Sequence, residues 1–185
     1  MNIGEIISRV KQGDCNAFEP IIHAYQQKLF TYCYYLLGNR QEAEDAVQEV
    51  LIKAYQNLHL YQIDQSFLAW LYKIAGNHCF TLLNRQKKWN SLLPKFWRQS
   101  HEPSAEEAVS KRVDNNFDDL LRGLTAEERQ IIILHTIVGY TLDEIAENLE
   151  IKAGTVRKRF ERIRKKLRST STDWEGTNYE KTVRV

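Results

Sequence analysis

GYTLDEIAENLEIKAGTVRKRFERIRKKLR, residues 139–168, reads as two helices joined by a tight turn. Thr141 and Glu144 form a capping box: the hydroxyl accepts from the Glu144 amide and the carboxylate reaches back to the Thr141 amide, so a helix starts here. Leu142, Ile145, Ala146 and Leu149 follow at helical spacing. In the second helix Val156, Phe160, Ile163 and Leu167 recur at i, i+4, i+7 and i+11 and fall on one narrow stripe. Lys158, Arg162 and Lys165 lie opposite that stripe, flanked by Arg157, Arg159, Arg164 and Lys166. A basic helix after a short turn is the arrangement that lays a recognition helix in the DNA major groove. Arginine and lysine there can pair with guanine O6 and N7 and neutralise phosphates at the groove edges. A merely solvated basic face would leave the cap and the spacing unexplained.

The charge is segregated along the chain. The 185 residues carry a formal net charge of only +2, yet residues 152–168 hold nine Lys or Arg against one Glu, and residues 141–150 hold four acids and no base. A cationic footprint at one end points to nucleic acid as partner. The length allows one ordinary domain or two small ones. Cys15, Cys33 and Cys79 are odd in number and lack CxxC spacing, so neither a disulfide framework nor a zinc site is expected, and no metal or cofactor is called for. No run of about 18 apolar residues and no signal-peptide pattern occur, which predicts a soluble, cytoplasmic chain that does not insert into a membrane. No P-loop or paired catalytic carboxylates are visible, so neither a catalytic residue nor a small-molecule substrate is expected. Glu42, Glu44, Asp45 and Glu49 point in different directions around one helix and converge poorly on an ion. Few glycines, three prolines and no alternating apolar runs predict an all-α fold.

Upstream, the periodicity predicts four helices. Ile3, Ile6, Ile7 and Val10 make a short one that stops at Gly13, and Asp14 can cap the next, which carries Phe18, Ile22, Tyr25, Leu29 and Leu36 before Gly38 and Asn39 end it. The third, about 41–58, turns Ala43, Val47, Val50, Leu51, Ala54 and Leu58 inward and presents Asp45, Gln48, Glu49 and Ile52 outward. An exposed isoleucine among acids and amides reads as a docking anchor, or else as ordinary solvated surface. The fourth, about 67–88, buries Phe67, Leu71, Ile74, Ala75, His78 and Leu82 and shows Lys73, Asn77, Phe80, Asn84 and Lys87 on its far side, with Trp70 at the edge. Such a face suits unstacked bases, which bind by stacking and backbone neutralisation; Trp70 fits either that role or the core. His78 reads as a core histidine. The loop HLYQIDQS (59–66), holding His59, Tyr61, Asp64 and Ser66, lies beside the same surface.

The stretches AEDAVQEVLIKAYQNL (43–58) and FLAWLYKIAGNHCFTLLNRQKK (67–88) resemble region two of bacterial sigma factors of the extracytoplasmic-function group. The stretch LTAEERQIIILHTIVGYTLDEIAENLEIKAGTVRKRFERIRKKLR (124–168) resembles their region four, and with KQGDCNAFEPII (11–22) the likeness covers most of residues 3–168. The resemblance implies two small helical domains joined by a linker: region two over 1–90, a linker over 91–115, region four over 116–170, and a tail over 171–185. It implies core RNA polymerase and promoter DNA as partners, and a further one in an anti-sigma factor, often membrane-bound. Core polymerase would be met by Asp45, Gln48, Glu49 and Ile52. The minus-ten element would be recognised and melted by the loop residues His59, Tyr61, Asp64 and Ser66 with Trp70, Lys73, Asn77, Phe80, Asn84 and Lys87. The minus-thirty-five element would be read by Thr155, Arg157, Lys158, Arg159, Arg162 and Lys165.

The chain departs from the family pattern in places. Glu150 and Lys152 stand where Gly and Ser are usual, so Glu150 must adopt a left-handed conformation and the recognition helix lacks its capping hydroxyl. Gly76 and Thr81 replace a common Arg and Asp in helix four, and Glu161 a position more often neutral or apolar. In the linker, Trp89, Leu92, Leu93, Phe96 and Trp97 are too apolar for a free tether and are predicted to cover polymerase, an inhibitor or one of the two domains. Ser104–Glu107 and Thr125–Glu128 both fit capping boxes, so helices resume there. A stand-alone helix-turn-helix regulator is the alternative, but no second module with strands or a ligand pocket is visible.

Overall fold

The computed structural model describes residues 2–62, 66–92, 121 and 123–170, and among these every regular element is helical. Seven α-helices follow in order: α1 (Ile3–Lys11), α2 (Glu19–Leu37), α3 (Arg40–Gln56), α4 (Phe67–Leu92), α5 (Ala126–Thr136), α6 (Leu142–Leu149) and α7 (Ala153–Thr170). Short 3-10 turns at Cys15–Phe18 and Leu58–Leu60 lead into α2 and out of α3.

Local chemistry sets the ends. Asn2 and Asn39 cap α1 and α3 by accepting from the amides of Glu5 and Glu42, at 3.2 and 3.0 Å. α2 stops where Gly38 turns left-handed at φ 73° and its amide returns to the Tyr34 carbonyl. Both predicted capping boxes in the C-terminal part form: Thr125 with Glu128 opens α5 and Thr141 with Glu144 opens α6. The Ser104–Glu107 box lies outside the described residues.

α2, α3 and α4 pack on one another around Ile21, Leu29, Tyr32 and Leu36, with Val50 from α3 and Leu71 and Ala75 from α4. Ile131, Ile133 and Leu134 of α5, Ile145 of α6, and Val156 and Ile163 of α7 make the second core. Each fully buried aliphatic side chain contributes about 1.5–3 kcal/mol of transfer free energy, so each unit has its own apolar centre. The two units also touch, α5 against α2 and α6 against α4, and a continuous buried cluster runs through both. Helix four differs from expectation in detail: Tyr72 and Cys79 are buried beside the predicted stripe because α2 and α5 enclose a wider arc than one packing partner would. All three cysteines are free thiols, with only Cys15 exposed.

Candidate nucleic-acid interface

α7 is anchored by Val156 and Ile163, both fully buried, with Phe160 and Leu167 half-buried on the same stripe. That anchoring turns Arg157, Lys158, Glu161, Arg162 and Lys165 to solvent along one shallow groove. Lys158, Arg162 and Lys165 form no ion pair among the described residues. Arg157 is engaged: its Nη2 donates to both carboxylate oxygens of Asp143 in the first turn of α6, at 2.7 and 3.0 Å. Arg164 donates to Glu161 at 3.1 Å, and Lys166 reaches Glu128 of α5 at 2.6 Å. Burial would raise the Glu128 carboxyl, but the Lys166 ammonium and the Thr125 amide hold it below its ordinary value. Thr155 and Arg159 are half-buried at the groove's edges. The turn before α7 is as strained as its sequence implies: Glu150 sits at φ 55°, and the Ile151 amide closes the turn on the Ala146 carbonyl at 3.0 Å. For a residue with a Cβ that conformation costs roughly 1–2 kcal/mol.

On α3 the outward face is as expected. Asp45, Gln48 and Glu49 are exposed, and Ile52 is 51% exposed beside a depression floored by Phe18, Ile22, Leu51 and Tyr55. An apolar side chain next to an apolar hollow and a row of acids is a surface that a basic, partly apolar helix can cover. Behind it, Lys53 donates to His78 Nδ1 of α4 at 2.7 Å. Burial first, and then the Lys53 charge, lower the His78 pKa, so the imidazole is an acceptor in the half-buried space between the helices.

The α4 face differs from its prediction. Asn77, Asn84 and Lys87 are exposed and Phe80 is half-buried, but Lys73 is carried into contact with the C-terminal unit, donating to Glu150 at 2.5 Å. Ser66 is the cap of α4, accepting from the Ala69 amide at 3.3 Å. Trp70 is half-buried in an aromatic corner with Tyr61 and Phe67, ring centroids 5.5 and 5.4 Å away. Tyr61 stacks edge-on to Phe67 at 4.9 Å, and His59 is exposed. Asp64 lies outside the described residues, as do Leu93, Phe96 and Trp97 of the linker; Trp89, at 66% exposed, covers neither unit.

Residues the sequence reading did not single out join the two units. Asn148 Nδ2 donates to the Ala69 carbonyl at 2.7 Å, Arg129 Nη1 to the Leu36 carbonyl at 2.9 Å, and Gln130 Nε2 to the buried Tyr32 hydroxyl at 2.8 Å. Gln130 fits because Gly76 faces it: a Cβ at Gly76 would stand 2.4 Å from the Gln130 amide nitrogen. The visible signals were the two departures, Gly76 and Glu150, which read in the sequence only as irregularities.

Comparison with known proteins accounts for both units. Residues 21–88 match the family described as Sigma-70 region 2, and residues 114–167 match Sigma-70, region 4. The ECF RNA polymerase sigma factor SigW of Bacillus subtilis is 32% identical over 190 residues, spanning 94% of this chain and 98% of that protein. The RNA polymerase sigma-H factor of Pseudomonas aeruginosa is 28% identical, over 88% of this chain and 90% of that one. The fold is shared with the sigma factor RpoE of Bartonella quintana, solved in complex with the anti-sigma factor NepR, at a TM-score of 0.66 and 21% identity over 85% of this chain and 99% of that one. It is likewise shared with CnrH, solved with the cytosolic domain of CnrY, at 0.64 and 21% over 89% and 94%.

Proposed function

This chain belongs to the ECF RNA polymerase sigma factors, which direct the polymerase to promoters, and on that premise we propose how its residues divide the work. Region two extends to about residue 90 and region four begins near 116. The α7 groove reads the minus-thirty-five element as duplex, with Arg157, Lys158 and Arg162 at base edges and Thr155, Arg159 and Lys165 at phosphates. The α4 face and the preceding loop take up the minus-ten element as single strand: Asn77, Asn84, Lys73 and Lys87 on bases and backbone, Trp70, Phe80 and Tyr61 by stacking, and His59, Asp64 and Ser66 around a captured base. The α3 face, with Ile52 as anchor and Asp45, Gln48 and Glu49 around it, docks on core polymerase.

The observation that carries this reading is the outward face of α7, where three cations stand without carboxylate partners among the described residues on a helix locked in place by Val156 and Ile163. A rigid basic helix in a groove suits duplex, whereas opening a duplex costs a few kcal/mol of unstacking per step, which contacts to the separated strand must offset. The factor supplies recognition and no bond-making step. It acts in the cytoplasm with core polymerase, and an anti-sigma factor is its regulatory partner. Among the described residues no helix is long and apolar enough to cross a membrane.

The test is reconstituted transcription with purified core polymerase on a minus-thirty-five-dependent native promoter. Arg162→Ala should weaken promoter binding by roughly 1–3 kcal/mol and relax base preference at one position of the minus-thirty-five element, with core binding untouched. Ile52→Asp should do the reverse, weakening core binding and leaving duplex binding by the free protein intact. If undiminished transcription accompanies Arg162→Ala, the base-reading assignment fails.

A further inference from the structure

We propose that Glu161 sets base preference within the α7 groove, its carboxylate accepting from the exocyclic amino group of a cytosine. The inference rests on the duplex reading of α7 given above and adds a specificity-determining residue of opposite charge to those already assigned.

Glu161 is the one acid among the residues that line the groove, a hollow of about 360 Å³ completed by Arg157, Lys158, Arg162 and Lys165. Helical residues four apart are turned by about 40°, so Arg157 and Lys165 flank Glu161 on its two sides. It stands inside the cationic face and not at its margin. Val156 and Ile163 fix the opposite side of the helix in the core, and Glu161 itself is exposed. Gly154, two turns earlier and within about 20° of the same line, is also exposed, and nothing in the protein occupies the space where its side chain would stand. The strip leading to Glu161 therefore starts as bare backbone, which lets the helix come close to base edges.

A carboxylate in this place weakens binding unless it meets a donor. Phosphates line both edges of a DNA groove, and a negative side chain among the cations that neutralise them is repelled whatever the sequence. Base edges in the major groove offer two amino donors, N4 of cytosine and N6 of adenine. An ionised carboxylate only accepts, so guanine N7 and O6 and thymine O4 repel it. Adenine sets the acceptor N7 beside its amine, which suits an amide and opposes a carboxylate. Cytosine is the base that remains. Arg164 Nη1 donates to Glu161 Oε1 at 3.1 Å and leaves Oε2 without a partner among the described residues. With side chains 45% and 61% exposed, that pair adds little stability, and its effect is to restrain the direction of the carboxylate. Arg157 and Glu161 are separated by about 6 Å along the axis, which places the cytosine within about two base pairs of the position that Arg157 reads.

The test uses the full chain assembled with core polymerase on a native promoter fragment whose minus-thirty-five element is randomised, the bound duplexes being sequenced. Wild type should favour cytosine over the other bases roughly tenfold at one position of one strand. Glu161→Gln should move the preference at that position to adenine and leave the other positions as they were. Glu161→Ala should flatten that position alone and raise binding to non-promoter duplex about two- to fivefold. A wild-type pool without cytosine at the position the variants alter would overturn the assignment. So would preferences in Glu161→Gln identical to wild type, with or without a uniform change of affinity, which is what an acid serving only the helix would give. Arg162→Ala in the same pool separates this failure from failure of the α7 reading. If Arg162→Ala relaxes a position and Glu161→Gln alters none, α7 reads the duplex without Glu161; if neither alters any preference, both assignments fall.

Discussion

The outer faces of α7 and α4 are both assigned to DNA, yet they are built in opposite ways. On α7, Lys158, Arg162 and Lys165 stand in solvent without partners among the described residues, held by a buried stripe directly behind them. On α4, Lys73 is ion-paired, Trp70 is wedged among Tyr61 and Phe67, and the wall opposite is acidic. On the reading proposed above, the difference follows from the two ligands. A duplex groove has a fixed shape and can be met by a rigid surface prepared in advance. A melted strand exists only after the polymerase has engaged the promoter, and an aromatic, cationic face left open before then would collect any single strand on offer. Preparedness is safe for one face and a liability for the other.

The largest effects should come from the two cores that hold these faces. Ile163 behind the α7 face and Leu71 behind α4 are both fully buried. Truncating either to alanine should cost about 2–5 kcal/mol. Residue-resolved hydrogen exchange decides whether the faces are separately supported: Ile163→Ala should accelerate exchange across α5–α7 and leave α3 nearly unchanged, and Leu71→Ala should do the converse. Equal acceleration in both halves would mean one cooperative block and would dissolve the contrast between them.

Much of this was legible in the sequence, and the limits are physical. The four N-terminal helices, the caps at Thr125 and Thr141, the inward stripe of α7 and the exposed Ile52 follow from local periodicity and side-chain reach, which act within a few residues. Lys73 was the instructive miss. A helical wheel assigns it to the solvent side of α4 correctly, but a wheel holds one helix, and the group that claims Lys73 arrives from Glu150, 77 residues later. Gln130 and Asn148 were hidden for the same reason: polar residues in amphipathic helices read as surface until a second unit covers them. Gly76 and Glu150 were visible as deviations, and their meaning lay in the partner each had across the interface.

A smaller effect sharpens the account of the exposed face. Asp143 holds Arg157 through one guanidinium nitrogen, with both side chains more than half exposed. As an exposed pair it adds at most about 1 kcal/mol to stability. Its consequence is orientation, because a guanidinium restrained from behind presents its remaining donors in a fixed direction. Asp143→Asn should therefore leave thermal stability nearly unchanged while broadening base preference at one position of the minus-thirty-five element, as read by binding to a randomised duplex pool. A uniform loss of affinity with the preference intact would place Arg157 on phosphate instead.

The smallest expected effect separates the halves by pH. His78, between α3 and α4, has its pKa lowered from an ordinary 6.5 by burial and by Lys53. The unfolded chain therefore binds a proton at this site more readily than the folded one, and stability falls as pH drops through about 6.5. In region four the lowered groups are carboxylates: Glu127, whose carboxylate accepts from its own amide and from Thr125; Glu128, where Lys166 and the Thr125 amide outweigh burial; and Glu144, bonded by the Thr141 amide and hydroxyl. Their stabilisation is complete above the ordinary value of 4.5 and is lost only as pH falls below it. Because His78 is only partly buried, the effect near neutrality should be a small shift of the urea midpoint of the N-terminal unit between pH 7.5 and 5.5, followed through its own amides, and His78→Gln should abolish it. A shift of the same size in the amides of α5–α7 would show that acid acts on the interface between the units and not on the region-two core, and the two faces would then share their most pH-sensitive support.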